Sequence, residues 1–231
     1  LSLILHIETA TQVCSAALSR DGLLMEEVVA ETEMAHASTL MPMIDALLKQ
    51  NNVVPADLSA VSVSSGPGSY TGLRIGVSTG KGICHSLGIP LIAVGSLHSA
   101  AFGMKEISKA TGTDLLIPLI DARRMEAFAA FYDASLNEVR PSTPWIMDES
   151  SLDEFADRKV FLAGTGAEKL KALYSTFSNV VFLNENMHRA AFACSLAFEK
   201  FQKLDFENTA YFEPNYGKDF IPGKPVIKGL K

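Results

Sequence analysis

The sequence predicts an α/β protein in which one strand–turn–helix plan is written twice, giving two lobes. Three observations carry that prediction. Short apolar runs alternate with stretches of helical spacing along the whole chain. "LILHIETATQVCSAAL" reads strand, acid, short turn, strand, and "LLIPLIDARRMEAFAAF" repeats that order with Asp121 in the place of Glu8. "AVSVSSGPG" and "KVFLAGTG" then each run a strand into Gly-x-Gly ahead of a helix. Paired echoes of this kind point to a duplicated fold. The first lobe is expected over residues 1–104 and a smaller second lobe over 105–231.

The elements follow in order. Ser2 to Glu8 is a buried strand ending in an acid, and "CSAALS" and "LLMEEVVAE" form a hairpin around Asp21-Gly22. "HASTLMPMIDALLKQNN" is helical. Its apolar residues Ala37, Leu40, Met41, Met43, Ile44, Leu47 and Leu48 cover roughly 160° of the wheel, more than one core-facing stripe needs. Pro42 is expected near the helix start or at a kink. "LSAVSVSS" is a strand, "GPG" a turn, and Ser69 a helix cap; that helix runs to Leu87 and ends at Gly88, with Pro90 beyond. "PLIAV" is a strand and "SLHSAAFGM" a short helix. In the second half, "LLIPLID", "EAFAAFYD" and "DRKVFLAGTG" are strands, "PSTPW" is loop, and "AEKLKALYSTF" and "HRAAFACSLAFEKFQK" are helices. The Pro/Gly-rich tail is expected to be an extended arm.

The helix after "GPG" raises the sharpest question. "YTGLRIGVSTGKGICHSL" carries four interior glycines, each costing about 1 kcal/mol relative to Ala. Gly72, Gly76 and Gly80 recur every four residues and share one face, whereas Arg74, Ser78, Lys81 and His85 lie opposite. A bare face permits close packing on the chain's own sheet. The opposite face, together with the surplus apolar arc of the preceding helix and Met34, Met41 and Met43, suits an adaptable protein contact. Both uses can coexist.

Composition narrows the function classes. The chain has 231 residues, 48% hydrophobic and 20% charged, with net charge −6 and no Lys/Arg run. It should not grip a nucleic-acid backbone alone; where RNA is involved, a partner supplies the positive surface. Cys14, Cys84 and Cys194 form no CxxC pair and fit reduced core thiols of a cytoplasmic protein. No apolar run reaches membrane-spanning length, and the opening stretch is expected to be no secretory leader, with an initiator Met preceding Leu1.

The two acid-bearing hairpins resemble the actin/Hsp70/sugar-kinase superfamily, a duplicated ribonuclease-H-like (ASKHA) fold with nucleotide between its lobes. A narrower resemblance rests on "IETAT…CSAAL", "H-x-x-x-L-M-P-x-I", "SGPGSYTGLRIGVSTGKG", "IPLIAVGSL" and "IDAR". These are similar to the bacterial TsaB (YeaZ) family, most specifically at Gly66–Gly82, where the family reads GPGS[FY]TGLRIG. The resemblance is firm over about Ile4 to Phe131.

That resemblance implies a non-catalytic subunit of the complex that makes threonylcarbamoyladenosine in tRNAs reading A-starting codons. It implies pairing with the catalytic paralogue TsaD, joining by the ATPase TsaE, a homodimer when alone, and contact with tRNA only through the complex. The family's contact uses two N-terminal helices, here His36–Gln50 and Tyr70–Leu87. Interface residues are therefore expected at His36, Leu40, Met41, Met43, Leu48, Tyr70, Arg74, Gly76, Ser78 and Lys81. The paralogue's two metal-binding histidines fall here at Ser96 and Ala100, with only His98 between them, so no metal is expected. "SSGPGS" at a helix N-terminus raises anion binding but matches neither standard phosphate-loop pattern. It is not the G-x-S-x-G nucleophile elbow either, and no catalytic residue is expected. Glu8, Thr9, Thr11, Gly66 and Asp121 would be the vestige of a nucleotide site; "IETATQ" and "IDARRM" lack the glycine that lets backbone wrap a phosphate, and no cofactor is expected. The competing readings are an actin-fold phosphotransferase or ATPase, which would bind ATP saturably, and a glycoprotease-like metallopeptidase, which would bind metal. A purely structural protein is the residual option.

Overall fold

The computed structural model describes residues 1–31, 36–124 and 126–217. Its two halves share one topology. In the first, β1 (Leu3–Glu8), β2 (Val13–Arg20) and β3 (Leu23–Glu31) form an antiparallel meander; β4 (Ala60–Ser64) and β5 (Leu91–Val94) add in parallel, giving the order β3-β2-β1-β4-β5. In the second, β6 (Leu115–Asp121), β7 (Ala127–Asp133) and β8 (Glu138–Trp145) form the meander, and β9 (Val160–Ala163) and β10 (Val180–Phe182) add in parallel, giving β10-β9-β6-β7-β8. The duplication legible in the two acid-bearing hairpins is thus a duplication of whole sheets.

The helices are α1 (His36–Gln50), α2 (Tyr70–Leu87), α3 (Ser96–Ser108), the single turn α4 (Lys171–Tyr174) and α5 (Cys194–Gln202). α1 and α2 cover one face of the first sheet. Leu3, Leu5 and Ile7 of β1 pack there with Leu40, Ile44, Leu47 and Val77. Ile4 points to the other face, where it meets Ala197, Leu196 and Phe201 of α5. Burial on both faces is why β1 reads as a continuous apolar run rather than an alternating one.

The covering helices are exchanged between halves. α3 follows the first sheet in sequence, yet its Leu97, Ala100, Ala101 and Met104 pack on Leu116, Ile120, Phe128 and Ala130 of the second. α5 follows the second sheet and packs on the first. Between them, Gly103 of α3 lies against the Phe192 ring, where a Cβ would come within 2.6 Å of it. Polar links reinforce the exchange. Ala190 N donates to Ser15 Oγ at 2.8 Å, Ala191 N donates to Glu27 Oε1 at 3.0 Å, and Arg189 pairs with the buried Glu27 carboxylate.

Two local expectations change, and one strand appears that had no sequence expectation. "PSTPW" lies within β8 rather than in a loop; Pro141 and Pro144 are tolerated because β8 is an edge strand, where a missing N–H costs no ladder bond. The "VVF" run forms β10, a strand too short to show a period. The two C-terminal helical stretches begin as 3-10 turns, at Ala167–Leu170 and Ala190–Ala193. Met34 lies outside the described residues, as does the tail beyond residue 217. Pro42 falls well inside α1, with its ring exposed.

The glycine face of α2 answers the question raised by its composition. A Cβ on Gly72 would enter the Thr9 carbonyl, one on Gly76 the Thr9 hydroxyl, and one on Gly80 would lie 2.5 Å from Val63. All three positions press on the first sheet and its β1–β2 turn. Ser69 caps the helix by accepting from Gly72 N at 3.2 Å, and Gly88 ends it in the left-handed region at φ 67. Gly82 differs: nothing lies within 4 Å of its Cβ direction. We therefore expect Gly76→Leu to cost about 3 kcal/mol or more, since overpacking here meets the β1–β2 turn. Gly82→Ala should stabilise by up to about 1 kcal/mol. Chemical denaturation of the two variants checks both signs.

Candidate functional site

Two regions collect the residues singled out by sequence: the outer face of α1 and α2, and the junction of the β1–β2 and "GPG" turns. On α1 the broad apolar arc divides cleanly. Leu40, Met43, Ile44, Leu47 and Leu48 are buried in the first core, whereas Ala37 and Met41 remain outside, Met41 at 50% exposure. On α2 the side opposite the glycine face is open. A groove of about 460 Å³ runs between the helices, lined by Met41, Pro55, Gly82, Ile83 and Leu87 among others. Ser78 joins it to a second hollow of about 420 Å³ bounded by Tyr70, Thr71, Arg74 and Ile75. At that end the Arg74 guanidinium donates to Tyr70 Oη at 2.6 Å and lies over the Tyr70 ring.

The ten residues predicted for an interface therefore split. Met41, Tyr70, Arg74 and Ser78 reach the surface. Leu40, Met43 and Leu48 are spent on the chain's own core, and Gly76 on contact with Thr9. His36 is buried, its ring donating to the Thr11 carbonyl at 2.9 Å, so it fastens the start of α1 to the β1–β2 turn. Lys81 is engaged by the chain itself, donating to the carbonyls of Phe212 at 3.1 Å and Ala210 at 3.4 Å. Sequence reasoning missed Gly82 and Pro55 as groove lining. The signal for Gly82 was available: it falls outside the 72-76-80 series and so has no packing reason to lack a side chain.

The second set, Glu8, Thr9, Thr11, Gly66 and Asp121, is brought only partly together. Glu8, Thr9 and Thr11 are buried in the β1–β2 turn beneath α2. The Glu8 carboxylate accepts from Ala10 N at 2.7 Å, and burial pushes its pKa up to about 7 against the opposing pull of bonds from Ala10, Ser64 and Thr9. Gly66, φ 98, faces the carbonyl of Asn215, which fills the space a side chain would take. Asp121 ends β6 of the other sheet, accepting from Arg123 N at 2.7 Å and pairing with Lys169; Lys169 also donates to the carbonyls of Arg124 and Glu126. Glu8, Thr11, Gly66 and Asp121 are thus engaged within the chain, whereas the buried Thr9 hydroxyl has no hydrogen-bond partner among the described residues.

The positions Ser96 and Ala100 are both buried. Ser96 bonds Gly66 in both directions, its N donating to the Gly66 carbonyl at 2.9 Å and its hydroxyl accepting from Gly66 N at 3.2 Å. His98 stacks on Tyr132, ring centroids 5.4 Å apart. Among the described residues no group of three His, Cys, Asp or Glu side chains is placed to hold a metal ion, and no helix is long and apolar enough to cross a membrane.

Comparison with known proteins decides the family. The family model for TsaD, tRNA N6-adenosine threonylcarbamoyltransferase, matches residues 27–155, more than half of the chain. The tRNA threonylcarbamoyladenosine biosynthesis protein TsaB of Bacillus subtilis (strain 168) is 36% identical over 129 residues, 56% of this chain and 54% of that protein. The protein of the same name from Escherichia coli (strain K12) is 33% identical over 139 residues, 59% of this chain and 57% of the other. The chain belongs to the TsaB (YeaZ) family. In these two relatives the match spans about half of their length. YeaZ from Pseudomonas aeruginosa superposes with a TM-score of 0.82 over 94% of this chain and 100% of its own, at 23% identity. The activator of 2-hydroxyisocaproyl-CoA dehydratase from Clostridium difficile, solved with ADPNP, superposes at 0.54 over 89% of this chain and 98% of its own, at 10% identity. The fold of this TsaB-family chain is the duplicated actin-like one.

Burial around the turns has a pH signature. His6 is held down at about 3 and His188 at about 4, both by loss of hydration, so both stay neutral in the fold. Between pH 4.5 and 6.5 the unfolded chain takes two protons on these histidines that the native state refuses. Over the same range native Glu8 keeps one proton that the unfolded chain releases. The net is one proton toward the unfolded state, so these three groups lower stability by about 1.4 kcal/mol per pH unit on acidification. Glu8→Gln removes the opposing contribution. Its acid limb should be about twice as steep, and at pH 8, above the native Glu8 pKa, the variant should be more stable than wild type by up to about 3 kcal/mol. Denaturant titrations at pH 5, 6.5 and 8 measure both effects.

Proposed function

We propose that this chain is the TsaB-type subunit of a tRNA threonylcarbamoyladenosine-forming complex, docking a TsaD-like transferase through the outer face of α1 and α2. The observation that carries the reading is the open groove between those helices, in a chain whose relatives bear the name tRNA threonylcarbamoyladenosine biosynthesis protein TsaB. Exposed apolar surface organised between two helices, with an exposed Met and an Arg–Tyr pair at one end, has the composition of a protein contact. The buried Leu and Met side chains of α1 hold the two helices in register, and the exposed ones remain for the partner.

In this reading the chain carries out no group transfer itself. Support comes from Ser96 and Ala100 at the positions matching the paralogue's histidines, and from the internal engagement of Glu8, Gly66 and Asp121. A TsaE-like ATPase joins the assembly, the same face pairs two copies when the partner is absent, and tRNA is met through the complex in the cytoplasm. A phosphotransferase reading would need Asp121 and the Gly66 turn free for a nucleotide.

The test is incorporation of labelled threonine into unmodified tRNA. It supplies the adenylate-forming enzyme, ATP, bicarbonate, the TsaD-like subunit and the ATPase, with and without this chain. Label that requires this chain, and is absent when the TsaD-like subunit is withheld, supports an obligatory non-catalytic subunit; equal label without the chain rejects it. Met41→Asp should weaken binding to the TsaD-like subunit at least tenfold, because it places a charge in the apolar groove, while leaving the melting temperature unchanged. Calorimetric titration reads that affinity.

A further inference from the structure

The arm after α5 makes a sequence of contacts that its composition did not announce. Glu207 N donates to the Leu91 carbonyl at 2.9 Å, an antiparallel bridge on the outer edge of β5. The carbonyls of Ala210 and Phe212 accept from Lys81 on α2, and the Phe212 ring packs on the first core. Asn215 N donates to the Ser65 carbonyl at 2.8 Å, and the Asn215 carbonyl covers Gly66. Tyr216 packs against Tyr70, ring centroids 4.5 Å apart and planes tilted by 39°. Gly217 then rests on the Phe128 ring of β7, in the other sheet, where a Cβ would lie 2.5 Å from Cε1. Residues 207–217 therefore cross from the edge of the first sheet, along α2 and over the "GPG" turn, to the second sheet.

We propose that this arm is a latch that positions the Tyr70–Arg74 end of the docking face, so that affinity for the partner depends on a contact made at the second sheet. The proposal rests on the docking reading above. Tyr70 is exposed and belongs to the first turn of α2, where only its neighbours can fix its rotamer. Among the described residues, Arg74 bonds its hydroxyl and Tyr216 backs its ring. Long side chains that are ordered before binding lose less freedom on binding, and affinity rises accordingly. Tyr216 is held in turn by its neighbours: Asn215 is bonded to Ser65 on one side, and Gly217 is seated on Phe128 on the other. Gly217 has φ 72, a backbone conformation that a β-branched residue avoids. The latch thus has an anchor on each sheet, and its midpoint is the ring that orders the docking face.

The test uses the full chain and calorimetric titration with the TsaD-like subunit. Tyr216→Ala removes the ring packed on Tyr70; Gly217→Val unseats the arm from the second sheet without touching α2. Each should lower affinity about tenfold while the melting temperature stays at the wild-type value, and Tyr216→Phe, which keeps the ring, should bind as wild type does. Wild-type affinity in Gly217→Val, or loss in Tyr216→Phe equal to that in Tyr216→Ala, overturns the latch. Wild-type chain that fails to bind the TsaD-like subunit overturns the docking reading and the latch with it, so the two failures are told apart by the wild-type titration alone.

Discussion

The close seat of α2 on the β1–β2 turn is the contact on which the rest of the molecule depends. Three bare positions let the helix backbone approach until Thr9 fills the space that side chains at Gly72 and Gly76 would have taken, and Val63 the space at Gly80. A helix with three fewer side chains on its buried face gives up intrinsic propensity, and packing at near-contact distance compensates. The consequences spread outward from there. The approach buries Glu8 and Thr11, the Thr11 carbonyl receives the His36 ring, and α1 is thereby placed alongside α2. The groove between the two helices is the outer expression of an inner contact, and neither helix could move far without disturbing the turn.

The exchange of α3 and α5 sets the relation of the halves. Each sheet is covered by a helix that the chain delivers from the other, so separating the lobes would strip both cores rather than one. The Arg189–Glu27 pair lies at this junction with its carboxylate almost wholly buried, where a lost partner would leave a charge without compensation. Lobes tied in this way suit a scaffold that presents a surface. The internal partners found for Glu8, Gly66 and Asp121 agree with that use, since a cleft that must admit and release a ligand keeps such groups available.

Much of this was legible in the residues. The doubled hairpin predicted the doubled sheet, because strand, acid, turn and strand recur in the same order over residues 3–18 and 115–131. Ser69 and Gly88 marked the ends of α2, since capping chemistry is local and needs no tertiary knowledge. The face shared by Gly72, Gly76 and Gly80 followed from helical geometry alone. What a wheel cannot supply is which part of a broad apolar arc the sheet will claim: five side chains of α1 went inward and Met41 did not. β8 escaped for a related reason, because it is fixed by pairing with β7 and carries prolines that argue locally for a loop. The arm was legible as an extended tail, but its contacts were not. Its bonds are to carbonyls and its seats are glycines, and such contacts leave almost no mark on side-chain identity.

The edges of the two sheets have a bearing on how such a protein can be recognised. β5 has its outer side met by Glu207, and β8 interrupts its own donors with Pro141 and Pro144. A foreign strand could not extend the sheets there without competing with the chain's own tail or facing absent N–H groups. At those two edges recognition is thereby shifted from main chain to side chain. Backbone pairing accepts almost any sequence, whereas a groove between two helices discriminates by shape. Under the docking proposed above, selectivity would come from the shape of that groove.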